Sequence, residues 1–185
     1  MKTVVVTLKS VSPITFGRYH KTDKLDRELH AAYEERTWRE RAHFNEAGQV
    51  TIPPMMLKNS LDDAVAFMGT QIPGRGKERY RKHFESGVMV MEPIVLPVKK
   101  DDLLPDWVFV PADGKAGGTK RVEKCFPMVR DWTGEATYYV LDEIITEDVF
   151  VEHLRACGQF IGMGTFRPQK RGYHGRFDVL KVKWS

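Results

Sequence analysis

The chain has 185 residues, enough to bury one sizeable core and short enough that a single elaborated domain over residues 1–185 is expected. An apolar fraction of 42% with 11% aromatics excludes a fully disordered chain, and 29 Lys and Arg against 25 Asp and Glu leave a formal charge of +4, compatible with a polyanionic partner. No apolar run approaches the roughly 20 residues that cross a bilayer, and the N-terminus lacks the apolar stretch of a signal peptide; the expectation is a soluble, cytoplasmic protein without a membrane partner.

Residues 3–11 (TVVVTLKSV) are rich in β-branched side chains and stop at Ser12 and Pro13, the pattern of a buried strand. A charged stretch from 23 to 44 follows, with Leu25, Leu29 and Ala32 at helical spacing, and is read as an insertion over about 17–47, helical in part. Residues 49–52 form a short strand or turn, and Pro53 and Pro54 open a helix over 55–68. Leu57, Leu61, Ala64 and Met68 make its apolar stripe, and Gly69 ends it. The basic segment 73–84 reads as loop, and VMVMEPIVLP after Gly87 as the second strand of the core. WVFV at 107–110 is a further short strand, and PADGKAGGT at 111–119 a mobile loop or hairpin tip. A strand at 136–143 then precedes a helix capped by Thr146, with Phe150, Leu154, Cys157 and Ile161 inward, His153 outward and Gly158 as its breaker. RFDVLKVKW closes the chain as a strand with Leu180, Val182 and Trp184 alternating inward.

The strongest elements run strand, helix, strand, strand, helix, strand. That is the order of an α+β, ferredoxin-like βαββαβ fold of the RRM kind, an antiparallel sheet with two helices on one face and basic insertions.

Between the second helix and the last strand lies GMGTFRPQKRGYHGRF. Gly162, Gly164, Gly172 and Gly175 free the backbone of side chains so that it can come close to phosphates, which Arg167, Lys170, Arg171 and Arg176 can neutralise. Phe166, Tyr173 and Phe177 are interleaved with these cations and offer flat surfaces for unpaired bases. The alternative is a flexible basic hairpin. A dinucleotide loop is excluded because that fingerprint leads from a strand into a helix, the reverse of the order here, and no Walker lysine motif is present.

The opening strand running into SPITFG, the helix entrance IPPMMLKNSLDDAV and the glycine-rich segment together resemble the CRISPR-associated RAMP superfamily, and within it the RNA-binding backbone subunits. The resemblance implies single-stranded nucleic-acid binding, most of all RNA, through backbone phosphates, in repeated copies or beside other subunits, or else a stand-alone or phage-borne relative. It places the glycine-rich loop against the nucleic-acid backbone and adds Lys58 and Asn59 at the start of the first helix, where free N–H groups also favour an anion. Arg75, Lys77, Arg79, Arg81 and Lys82 form one further basic cluster, and Lys115, Lys120, Arg121 and Lys124 another; either can extend the track or be a solvated loop.

Arg18 and His20 follow the first strand. The resemblance to RAMP ribonucleases offers His20 as a general base for a metal-independent cleavage; the other reading is a basic surface. No cofactor and no metal is expected, since Cys125 and Cys157 fit reduced core thiols, the adjacent helix positions Asp62 and Asp63 diverge, and Asp101 and Asp102 lie in a turn signal. A structural or adaptor protein, engaging a partner through its charged stretch, is the third reading.

Overall fold

The computed structural model describes residues 1–185 apart from 113, 115 and 116. Part of the 111–119 loop and Lys115 of the second basic cluster therefore lie outside the described residues. The elements in order are β1 (Lys2–Ser10), β2 (Ile14–Thr15), α1 (His30–Thr37), β3 (Gln49–Ile52), α2 (Pro54–Met68), α3 (Arg81–Gly87), β4 (Val88–Val90), β5 (Ile94–Lys99), β6 (Leu104–Pro111), β7 (Arg121–Val129), β8 (Thr133–Val140), α4 (Glu147–Ala156) and β9 (Phe177–Trp184).

Four strands form the main sheet in the order β4-β8-β1-β9, with every neighbouring pair antiparallel. Taken with α2 and α4, this is the ferredoxin-like arrangement. The β-branched run of β1 explains its central place: Val4, Val6 and Leu8 point inward and are fully buried, lying opposite Tyr138, Ala136 and Gly134 of β8. The stripes of α2 (Leu57, Leu61, Ala64) and α4 (Phe150, Leu154) cover that face. Phe150 is the hub, with its ring 5.2 Å from Tyr138, 6.3 Å from Phe84 and 5.8 Å from Trp184. At roughly 1.5–3 kcal/mol for each large apolar side chain buried, against about 1 kcal/mol for an exposed ion pair, this core decides the fold.

Several local expectations are corrected. The segment after Gly87 does not continue as one strand: β4 belongs to the main sheet, while β5 pairs with β3 in a separate two-stranded sheet. A nine-residue strand, β7, pairs along its length with β6 and also with β2, making a third sheet and a long hairpin. The Leu180 side chain is exposed, because the register of β9 against β1 shifts between Thr7 and Leu8, so that Trp184 and Val182 lie opposite Val4 and Val6 while Val179 lies opposite Leu8.

His153 is buried, not outward: α3 covers that side of α4, placing Phe84 at 5.0 Å and Tyr80 at 5.9 Å from the imidazole, whose Nδ1 hydrogen-bonds the Val149 carbonyl at 2.7 Å. Gly158 does not break its helix either. The chain continues from α4 through Cys157–Ile161 in a wider turn, in which Gly162 N donates to Cys157 O at 2.8 Å. A side chain at Gly158 would collide with the Phe177 carbonyl, so its role is close packing against β9.

The charged stretch is partly helical, as expected, but Leu25 and Leu29 are exposed and α1 starts only at His30. It is held to β7 by polar groups: Glu34 is buried, pairs with Arg41 at 2.8 Å and accepts from Cys125 N at 3.3 Å. Cys125 and Cys157 are both buried free thiols, and burial pushes the Cys125 thiol up to about 11. Among the described residues no helix is long and apolar enough to cross a membrane.

Candidate nucleic-acid interface

The glycine-rich segment is neither a flexible hairpin nor an open backbone track. It is knitted to the chain that follows β1: Gly175 N donates to Pro13 O at 2.7 Å, Thr165 N to Thr15 O at 2.9 Å, and the Ser12 hydroxyl to Tyr173 O at 2.6 Å. It also bonds to itself, from Met163 N to Gly175 O at 3.0 Å and from His174 N to Phe166 O at 3.1 Å. At its centre the Thr15 hydroxyl donates to Thr165 O at 2.9 Å and therefore accepts from His174 Nδ1 at 3.1 Å. Burial holds the His174 imidazole below its usual pKa, in keeping with a neutral ring in that role.

The four glycines serve this folding. Gly175, buried at φ 76°, lies so close to the Met163 carbonyl that any side chain would collide with it; Gly164 stands likewise against Thr15 O, Gly172 against Phe166 O, and buried Gly162 against Pro168. Their close approach is to their own chain, which leaves Gly162 and Gly175 without an exposed surface.

The cations divide into two groups. Arg167 is engaged internally: Nη2 donates to Asp63 at 3.0 Å and Nη1 to the Ser60 hydroxyl at 3.3 Å, tying the loop to the middle of α2. Arg176 is half-buried and donates from Nε to Gln159 O at 3.1 Å. Lys170 and Arg171 lie exposed on a tight turn over Pro168–Lys170, with no side-chain partner among the described residues. Tyr173 beside them is 61% exposed, whereas Phe166 is half-buried with its ring edge-on to Phe126 at 5.1 Å. Phe177 is buried in contact with Trp132 and offers no stacking surface.

Lys58 differs from expectation in the same way as Arg167. Its ammonium pairs with Asp62 and donates to Phe84 O at 3.2 Å, so it is buried between α2 and α3; Asn59 beside it is exposed. Asp62 itself is held above its usual carboxylate range by burial, against the pull of Lys58. Arg121 lies exposed at the outer end of the hairpin, donating to Phe109 O at 3.3 Å.

Next to the loop is a cleft of about 460 Å³ lined by Arg18, Tyr19, His20, Tyr33, Lys124 and Phe126. The loop reaches it through Phe166, which meets Phe126, and through Thr165, which lies against Gly17. His20 stacks on Tyr33 with centroids 6.3 Å apart, and its Nδ1 hydrogen-bonds the Thr22 hydroxyl at 3.0 Å. Partial burial, then the charge of Arg41, holds its pKa below the usual histidine value. His30, from the start of α1, lines the same cleft, its Nε2 donating to Glu123 O at 3.1 Å. Arg41 is itself held by Glu34 at 2.8 Å and by Cys125 O at 3.0 Å, so Arg18 and Lys124 are the cations of the cleft without a side-chain partner among the described residues. Tyr19, His30, Tyr33 and Phe126 are lining residues that sequence reasoning missed. Lys124 and Phe126 stand two apart on one strand, and reading 121–129 as a strand would have brought them together.

These groups can hold an anion beside a flat aromatic ring. Among the described residues no cluster of metal-ligating side chains occurs.

No protein-family model matches the chain, and no curated protein matches it. Solved structures do. The type III-B Cmr-beta, in a cryo-electron-microscopy structure bound to cognate target RNA, matches with a TM-score of 0.60 at 12% identity, over 99% of this chain and 60% of that one. Cmr6 from Pyrococcus furiosus, in a crystal structure, matches with a TM-score of 0.52 at 12% identity, over 96% of this chain and 98% of that one. This chain thus spans less than two thirds of the first of these and nearly all of the second. At such identity the likeness is one of fold: the ferredoxin-like α+β arrangement of this chain is shared over nearly its whole length with Cmr-beta and Cmr6.

Proposed function

We propose that this protein binds single-stranded RNA, independently of sequence, as a subunit of a CRISPR-type ribonucleoprotein. The carrying observation is that Lys170, Arg171, Arg18 and Lys124 have no side-chain partners among the described residues and border the knitted loop and the adjoining aromatic cleft. Cations without internal partners are the ones that gain by neutralising phosphates, while the exposed rings of Tyr173 beside the loop and Tyr19 at the cleft offer faces that accept any base. RNA-bound Cmr-beta as a fold relative supports RNA over DNA, and this reading takes other subunits or further copies of this chain as partners. Fluorescence anisotropy of a labelled single strand across a salt titration tests the reading: affinity should fall steeply with salt, and an affinity indifferent to salt rules out phosphate neutralisation.

A second reading, metal-independent RNA cleavage, is favoured by one observation: His20 lies in a cleft that also holds Arg18 and Lys124, where partial burial lowers its pKa. His20 would take the ribose 2′-hydroxyl proton as that oxygen attacks the neighbouring phosphate; a 2′,3′-cyclic phosphate forms as the P–O5′ bond breaks, and the departing 5′-oxygen takes a proton from water. Cleavage in excess chelator that is absent from His20→Ala supports it; intact RNA after incubation with the wild-type protein removes it.

A further inference from the structure

A second cationic surface, with no residue in common with the glycine-rich loop, lies between the end of α2 and the start of α3. After Gly69 the chain folds into a compact turn, with Ile72 N donating to Glu78 O at 2.8 Å, Arg75 N to Ile72 O at 3.1 Å and Tyr80 N to Thr70 O at 3.2 Å. Buried Ile72 and Tyr80 anchor it in the core, so the turn is a fixed platform and not a loose basic loop.

The pairing of charges on this platform leaves an excess of one sign. Arg81 is engaged by Glu85 at 2.7 Å; Glu78 is engaged by His83 at 3.1 Å and by Arg75 at 3.6 Å. Lys77, Arg79 and Lys82 remain, exposed and without a side-chain partner among the described residues. They converge on a cavity of about 340 Å³ lined by Lys77, Glu78, Arg79, Arg81, Lys82 and His83.

Among the described residues, every side chain lining this cavity is ionisable. A protein partner gains most of its affinity from buried hydrophobic and aromatic side chains, and the charged heads that ring this cavity would each have to be desolvated to seat them. A ligand of high negative charge density gains from each free cation through release of its own counterions.

We propose that the concave surface formed by residues 75–83 is a second binding site for the phosphate backbone of a single strand, separate from the glycine-rich loop. The identity of the strand rests on the function proposed above; the site rests on its own geometry. A strand long enough to reach both surfaces is held at two places, and a short one at the loop alone.

The test compares wild type, Lys77→Ala/Arg79→Ala/Lys82→Ala and Lys170→Ala/Arg171→Ala, using labelled RNA strands of about 8 and about 30 nucleotides. The triple variant should lose about tenfold in affinity for the long strand, reduce the slope of log affinity against log salt by about 2, and keep the wild-type affinity for the short one. Its melting temperature should be unchanged, since the three side chains are exposed. An unaltered affinity of the triple variant for the long strand, while the loop variant weakens, overturns this site and leaves an acidic protein surface as its occupant. Failure of the wild-type protein to bind either strand overturns the function proposed above, and this site with it.

Discussion

Arg167 reaches from the glycine-rich loop to Asp63 in the middle of α2, donating at 3.0 Å, and the same guanidinium reaches Ser60, whose hydroxyl donates to Gly162 O at 3.0 Å. One side chain thus fastens the loop to the helix at the point where the loop begins. Arg167 is by this contact a clamp, and the exposed cations further along the loop are what remain for a ligand.

Arg167→Ala is therefore expected to lower stability, by about 1 kcal/mol for a partly buried pair with an added hydrogen bond. Thermal or urea unfolding measures this directly. Lys170→Ala/Arg171→Ala should leave unfolding unchanged and instead reduce the slope of log RNA affinity against log salt by roughly 1 to 1.5, the effect of two phosphate contacts on a single strand. Loss of stability in the double variant, with RNA binding intact, would reverse the two roles.

Gly175→Ala should be far more severe. The new methyl would meet the Met163 carbonyl, at a φ of 76° that already disfavours any side chain. Something must move, and the loop's bonds to Pro13 and Met163 are the nearest to give way. A loss on the order of 3 kcal/mol or more is expected, seen as a lowered unfolding midpoint and as proteolytic cleavage within residues 162–176.

The core was legible in the sequence because each of its elements carries one strong period. The alternation in β1 and the stripe of α2 are set by apolar residues alone, and their burial follows. β7 was not legible: Arg121, Glu123 and Lys124 break its apolar pattern and Pro127 argues against a strand, yet β6 pairs with it from Leu104 to Pro111. Lys58 and Arg167 show the same limit for the site. The i,i+4 spacing of Lys58 and Asp62 on α2 is readable in the sequence, but Phe84 O beside Lys58 and Asp63 beside Arg167 come near only through the packing of α2 against α3 and the loop. Glycines are ambiguous in a related way, since the missing side chain serves a phosphate and a neighbouring carbonyl equally well.

Asp142, in the connection from β8 to α4, and His83 of α3 form a pH-dependent tie next to the second cationic surface. His83 Nδ1 meets Asp142 at 2.7 Å, and Nε2 meets Glu78 at 3.1 Å. The hydrogen bond to Asp142, more than the one to Glu78, raises the His83 pKa above its ordinary 6.5; the same bond lowers the Asp142 pKa below its ordinary 3.8. Seen from His83, the stabilisation is complete below pH 6.5 and is lost as the pH rises through the raised value in the folded protein. Seen from Asp142, it is present above pH 3.8 and is lost as the pH falls through the lowered value. The tie is one interaction viewed from both ends, and it acts fully only between those limits. Because the pair is near the surface, its contribution is on the order of 1 kcal/mol or less. Urea unfolding of wild type and His83→Gln across pH 5 to 9 should show the wild type ahead at the acid end and the difference closing towards the alkaline end. A difference that stays constant across that range would mean that His83 acts there by packing and not by charge.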